Sequence, residues 1–266
     1  MKIDIIHVSY QYSSSVLALN DLNLQVPEGQ HIVLIGHNGC GKTTLARCLN
    51  GLIRPTSGEI FLNNRSIRNV KASTLAREVS FVFQHPDDQI FHRTVNQEIA
   101  FGPKNLNFSP DTLKSNIENA LLLTGLVEER DTHPYDLGLS ARKRVTIASA
   151  LVMDTDVIIF DEPTAGMDAD ELALMQRIYQ YLKTAGKTVV TITHDIDLAV
   201  ENADILAIMA SGKIIHYGNP VELFAEWDQS ASEFIAPQMV RLSKRVFKDR
   251  ITGTVDQFVS LINEKS

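Results

Sequence analysis

The residues with the clearest chemical purpose form the run Gly36-His37-Asn38-Gly39-Cys40-Gly41-Lys42-Thr43-Thr44, which follows the pattern G-x-x-x-x-G-K-[ST]. Glycines at these spacings let the backbone turn tightly and point its N–H groups at anionic oxygens. A helix opening at the lysine adds positive partial charge. In such a loop Lys42 reaches the β- and γ-phosphates of a nucleotide and the Thr43 hydroxyl ligates Mg2+. Asp161 ends the apolar run Val157-Ile158-Ile159-Phe160, a strand end suited to holding the same Mg2+ shell. Glu162 follows directly. On an extended backbone its side chain points away from that of Asp161, leaving it to orient and polarise a water, a contribution on the order of 10²–10⁴ in rate. His194, after the strand Thr188 to Ile192, is placed to contact a γ-phosphate. Together these groups are a constellation for nucleoside-triphosphate hydrolysis.

The elements that must position them are legible around each motif. Ile32-Val33-Leu34-Ile35 reads as a buried strand entering the loop. Leu45, Ala46, Cys48, Leu49 and Leu52 recur at helical spacing after it, with Gly51 as a C-cap. Residues 1–30 read as antiparallel strands, with Ile3, Ile5, His7 and Ser9 on one face and a turn at Pro27-Glu28-Gly29. Tyr10 and Tyr12 are either exposed there or packed on the sheet. Glu59 to Leu62 and Ser80 to Phe83 are further short strands, the second closing on Gln84-His85-Pro86. From about 86 to 150 the pattern is helical, with helices near 94–101, 111–124 and 140–153. A helix over 169–184 follows the Asp161 strand, and Ser211-Gly212 marks a hairpin between Ile205 to Met209 and Lys213 to Tyr217. Alternating apolar strands and helices indicate an α/β fold with a mainly parallel sheet. Past 225 the pattern weakens. Thr254 and Gln257 form a capping box for a last helix, whose stripe Val255, Phe258, Val259, Leu261 and Ile262 either docks on its own domain or meets a second copy.

The bulk numbers set limits. A chain of 266 residues that is 44% hydrophobic forms one large domain, or one with an appendage. A formal charge of −7, with 25 basic against 32 acidic residues, argues against nucleic acid as a partner. No run approaches the roughly 18 apolar residues of a membrane span, and the opening residues lack the apolar core of a secretory signal. Cys40 and Cys48 offer no disulfide framework, which points to a reducing compartment. Cys40 either fills a variable loop position or is redox-sensitive near a helix N-terminus.

The combination resembles the ATP-binding-cassette ATPases over about residues 3–225. Gly36 to Thr44 are similar to Walker A and Asp156 to Asp161 to Walker B; Glu162 takes the catalytic glutamate position. Tyr12 resembles the aromatic that stacks on adenine, and Gln84 the glutamine joining the metal site to the helical insert. Ala165-Gly166-Met167-Asp168 resembles the loop that crosses to a partner subunit, and His194 the switch histidine. The resemblance implies a P-loop, RecA-like core with an antiparallel β-subdomain and a helical insert at about 86–150. It places the nucleotide-binding domain at 1–225 and a C-terminal extension at 226–266. It implies ATP and Mg2+ as cofactors. Nucleotide contacts run from Tyr12 and from Gly36 through Thr44; Thr43, Gln84 and Asp161 serve the metal; Glu162, His194, Lys42 and Gln84 serve catalysis.

A narrower resemblance is to the ATPase subunits of energy-coupling factor importers. It is carried by Phe83 to Phe91, Ala100-Phe101-Gly102-Pro103 and Pro134-Tyr135-Asp136-Leu137, and more loosely by the tail. It implies a peripheral ATPase on the cytoplasmic face of the cell membrane. Its partners would be a second homologous ATPase subunit, a transmembrane coupling subunit and, through the complex, a membrane substrate-binding subunit for a vitamin or transition-metal ion. The family's Leu-Ser-Gly-Gly-Gln segment is altered here. By the register of its flanks, Gly138 replaces the serine, and Leu139 and Ser140 replace the glycines. That segment grips the γ-phosphate bound to the opposite subunit, so the alteration implies pairing with a different subunit. Asp87, Asp88 and Glu98 either receive a basic helix of a membrane subunit or form a solvated acidic loop. A soluble cassette ATPase acting away from membranes and a regulatory nucleotide-binding module remain the alternatives. No Asn-Lys-x-Asp segment speaks for guanine.

Overall fold

The computed structural model describes residues 1–13, 16–225, 237–247 and 250–263. The chain opens with β1 (Ile3–Ser13) and β2 (Val16–Val26), then β3 (His31–Gly36) and α1 (Lys42–Leu49), before β4 (Ser57–Leu62) and β5 (Arg65–Ser66). A short α2 (Ala72–Leu75) leads to β6 (Val79–Val82) and to the insert helices α3 (Val95–Asn105), α4 (Pro110–Thr124) and α5 (Leu139–Leu151). The chain then alternates through β7 (Val157–Asp161), α6 (Ala169–Thr184), β8 (Thr188–Ile192), α7 (Ile196–Asn202), β9 (Ile205–Ala210) and β10 (Lys213–Gly218). It ends in α8 (Pro220–Ala225), α9 (Gln238–Phe247) and α10 (Val255–Asn263).

Two sheets result. One is antiparallel with strand order β2-β1-β4-β5; the other has six strands in the order β10-β9-β3-β8-β7-β6, parallel except for β10. Every residue of β3, β7 and β8 is buried, as strands covered on both faces require. The antiparallel sheet closes over α1, so Ile3, Ile5 and Leu24 share a core with Leu45, Leu49, Ile159 and Ile192. On the opposite face α6 packs Met175, Ile178 and Leu182 onto Ile158, Phe160 and Val189. The insert keeps a core of its own, built from Ile99, Leu121, Val145 and Val152. Val240 of α9 is fully buried beside Phe224, Val33 and Ile208. Burying a side chain of that size is worth about 1.5–3 kcal/mol, enough to hold the helix on the sheet.

Two local expectations change. The face Ile3, Ile5, His7, Ser9 holds only to Ile5. The register with β2 and β4 shifts beyond it, His7 turns to φ +50°, and Val8 takes the buried position while His7 faces out. A bulge of this kind inserts a residue and reverses the alternation. The box at α10 is half formed: the Gln257 amide donates to the Thr254 hydroxyl, but the Gln257 side chain accepts from Gly253 rather than Thr254. Phe258 packs on Phe247 of α9, while Val255, Val259 and Ile262 are exposed. The expected extension begins at 226, and its residues 226–236, 248–249 and 264–266 lie outside those described.

Candidate functional site

In the six-stranded sheet, β3, β8, β7 and β6 are successive parallel neighbours. Their C-terminal ends therefore deliver Gly36, His194, the Asp161-Glu162 pair and Gln84 to one edge, the place where open α/β sheets bind ligands. There a cavity of about 500 Å³ is lined by Tyr12, Asn38, Gly39, Gly41, Lys42, Thr43, Thr44, Gln84, Asp161 and Glu162. Val16, Leu17 and Ala18 of β2 also line it; the sequence marks none of them, because they reach the loop only through sheet packing. Of the expected nucleotide contacts in the loop, Gly36 and Cys40 are buried and His37 is exposed, and none of the three lines the cavity.

The loop is shaped by backbone contacts only glycine allows. Gly41 has φ +111°, and a Cβ there would meet the Ala18 carbonyl oxygen at 2.4 Å. The Lys42 side chain is folded under the loop, its ammonium donating to the carbonyls of Gly36 (2.7 Å) and His37 (3.1 Å). The Thr43 hydroxyl donates to Asp161 Oδ2 at 2.9 Å, while Asp161 Oδ1 is buried with no partner among the described residues. Burial pushes the Asp161 carboxyl above its usual range. The Thr43 hydrogen bond opposes this, Glu162 adds to it, and Arg47 and Lys42 pull the other way. A hydroxyl and a buried carboxylate with an unused oxygen, beside a phosphate-type loop, are the hard donors Mg2+ takes when phosphate oxygens and waters complete its shell. The residues present fit that ion.

Tyr12 is half exposed in the cavity, stands edge-on to Tyr10 with ring centroids 4.8 Å apart, and hydrogen-bonds through its hydroxyl to Thr44 Oγ1 at 3.1 Å. Glu162 is buried and does not continue the strand. Its φ is +51°, so the expected pleat alternation with Asp161 does not apply. The left-handed turn is anchored by the Glu162 amide, which donates to the Ile192 carbonyl at 2.9 Å. It brings Glu162 Oε2 within 2.9 Å of His194 Nδ1. A non-glycine residue adopts this region at a cost and is found there mainly at functional positions.

At the altered segment, Gly138 is the N-cap of α5 and provides no side-chain cap; Leu139 is 54% exposed. The acidic group predicted near Gln84 is divided. Asp87 and Asp88 are exposed, and Asp87 pairs with Arg142 at 2.8 Å, the guanidinium also lying over the Tyr135 ring. Glu98 is instead buried and accepts from the Phe91 and His92 amides and the His92 ring. Those amides have no strand or helix partner, so Glu98 serves the fold and offers nothing to an incoming cation. Nothing in the sequence pattern marks Lys143, which the structure brings to the loop after Glu162, where it donates to the Ala165 carbonyl.

Residues 19–165 match the ABC transporter family. The chain is 37% identical over 240 residues to energy-coupling factor transporter ATP-binding protein EcfA2 of Clostridium tetani, covering 88% of this chain and 83% of that protein. It is 40% identical over 225 residues to EcfA of Methanoculleus marisnigri, covering 83% and 79%. Among solved structures it resembles cbiO1 of Clostridium perfringens, part of the ABC transporter complex cbiONQ, with TM-score 0.79, 32% identity and coverage of 93% and 96%. It also matches two longer curated relatives, of whose length it spans 38% and 44%. The chain belongs to the ABC transporter ATP-binding family and carries that family's P-loop ATPase domain.

Proposed function

We propose that this chain is the ATP-hydrolysing subunit of an energy-coupling factor-type importer, powering uptake of a vitamin or transition-metal ion through membrane partners. The observation that carries the ATPase reading is the Thr43–Asp161 hydrogen bond with Asp161 Oδ1 left free, set beside Lys42 and Glu162 in one cavity. Among the described residues no helix is long and apolar enough to cross a membrane. In this reading the chain sits on the cytoplasmic face of the cell membrane, held there by its membrane partners.

In this reading the loop amides from Gly39 onward and Lys42 hold the β- and γ-phosphates, Lys42 turning from the Gly36 and His37 carbonyls toward them. Tyr12 offers its ring face to the base. Thr43 and Asp161, with Gln84 from the insert side, would hold Mg2+, which when bound neutralises charge on the phosphates. Glu162 orients the attacking water and takes its proton, and His194, held on the Glu162 carboxylate, contacts the γ-phosphate from the neighbouring strand end.

The altered segment at the start of α5 supports the pairing. Where the family's register has a serine and a glycine, Gly138 brings no hydroxyl and Leu139 covers backbone that would otherwise be bare toward a second subunit's γ-phosphate. Two identical chains would impair both sites; a homologous partner with an intact segment leaves one sound. ATP hydrolysis by the purified chain alone, compared with the chain co-purified from membranes through a tag, tests this. Equal specific activity, or no membrane proteins retained, would reject the proposal.

A further inference from the structure

Lys143 of α5 is a largely buried lysine, 8% exposed as a residue. It donates to the carbonyl of Ala165, in the loop that carries Glu162 on to α6. Burial lowers its pKa, and the nearby carboxylates Glu162 and Glu171, one at each end of that loop, oppose the shift. A buried cation is unfavourable unless it is paired and hydrogen-bonded, so an apolar chain of similar length would pack here at least as well. The loop it touches is also the one that holds Glu162 at φ +51°. The preceding residue, Arg142, reaches the other way, to Asp87 in the turn after Gln84. A single turn of α5 thus contacts both the segment leaving Gln84 and the segment carrying Glu162.

We propose that Lys143 is a positioning residue that ties α5 to the Glu162 loop, so that displacement of α5 is transmitted to the Glu162 carboxylate. The proposal deepens the function above and rests on Glu162 being the group that orients water. Lys143 does not line the cavity that holds Lys42 and Glu162, and it acts only through the loop. Losing the tether therefore lowers turnover without weakening nucleotide binding, and a second cation of sufficient reach restores it.

The test uses the chain co-purified with its partner subunits, carrying Lys143→Met, Lys143→Arg and, in parallel, Glu162→Gln. The readouts are the affinity for a fluorescent ATP analogue, single-turnover ATP hydrolysis with chain in excess, and amide hydrogen exchange of residues 162–168 and 36–44. Lys143→Met is expected to slow hydrolysis by about 10- to 100-fold, the scale of a catalytic group displaced by about 1 Å. Its affinity stays unchanged, residues 162–168 exchange faster and residues 36–44 do not; Lys143→Arg recovers most of the rate. Hydrolysis unchanged in Lys143→Met, or a loss that follows affinity and is not recovered by arginine, overturns the proposal. If Glu162→Gln hydrolyses normally, the water-orienting role of Glu162 is what fails, and faster exchange at 162–168 in Lys143→Met still upholds the tether. If Glu162→Gln is inactive while Lys143→Met hydrolyses at the unsubstituted rate, only the tether falls.

Discussion

Restoring the altered segment is the most direct trial of the pairing argument, through the triple substitution Gly138→Ser, Leu139→Gly, Ser140→Gly. Gly138 has φ −63° and ψ 162°, which serine adopts freely, and a Cβ there meets no atom within 4 Å. Serine would also cap α5, but as an N-cap it exceeds glycine by only about a few tenths of a kcal/mol. Leu139 is 54% exposed, so its removal gives up little packing. Two glycines in the first turn of a helix cost roughly 1 kcal/mol each. The fold should therefore be slightly less stable. Against that, one hydrogen bond to a charged phosphate is worth roughly 1.5–3 kcal/mol, or about 10- to 100-fold in rate. Activity and stability move in opposite directions, so a gain in rate is not a by-product of better folding. The assay is phosphate release by the purified chain alone at saturating ATP, across a series of chain concentrations, with thermal melting as the fold control. A folded triple variant no faster than the unsubstituted chain would refute the reasoning.

Other outcomes are open to measurement. His31, at the start of β3, is buried with its Nε2 on Thr191 Oγ1 at 2.8 Å, and burial lowers its pKa from 6.5 to about 4 against the opposing pull of Asp204. Between those values the unfolded chain binds the proton and the folded one does not, so stability is retained above the upper value. It falls as pH drops through the window, by roughly 3 kcal/mol in all. Urea midpoints across that range should show the slope, and His31→Gln should flatten it; an identical slope would remove His31 as the cause. At the turn after Gln84, Asp87→Lys with Asp88→Lys breaks only the exposed pair with Arg142, worth about 0–1 kcal/mol, so the melting temperature barely moves. Retention of membrane subunits by the tagged chain should nevertheless weaken, and undiminished retention would leave that turn as a solvated acidic loop.

Much of the molecule is legible along the chain because its signals are local. The phosphate loop is a contiguous motif, and its flanking strand and helix carry their own periodicity. The same holds for the strand ending at Asp161, the helix Ala169–Thr184, whose predicted ends coincide with those found, and the Ser211-Gly212 hairpin. That Gly36, Gln84, Asp161 and His194 meet follows once the strands are parallel, since each residue closes or follows a strand at the same edge. What only the tertiary structure decided depends on partners distant in sequence. Glu162 leaves the extended conformation because its amide bonds to Ile192 across the sheet. Glu98 is withdrawn from the surface by two otherwise unpaired amides, and Asp87 is engaged by an arginine 55 positions away. Lys143 acquires a role only because the insert folds back over the Glu162 loop. Periodicity and motif spacing record which face a residue occupies and what its type can do. Which polar group must satisfy which other is settled when distant segments exclude water together, and that is a property of packing.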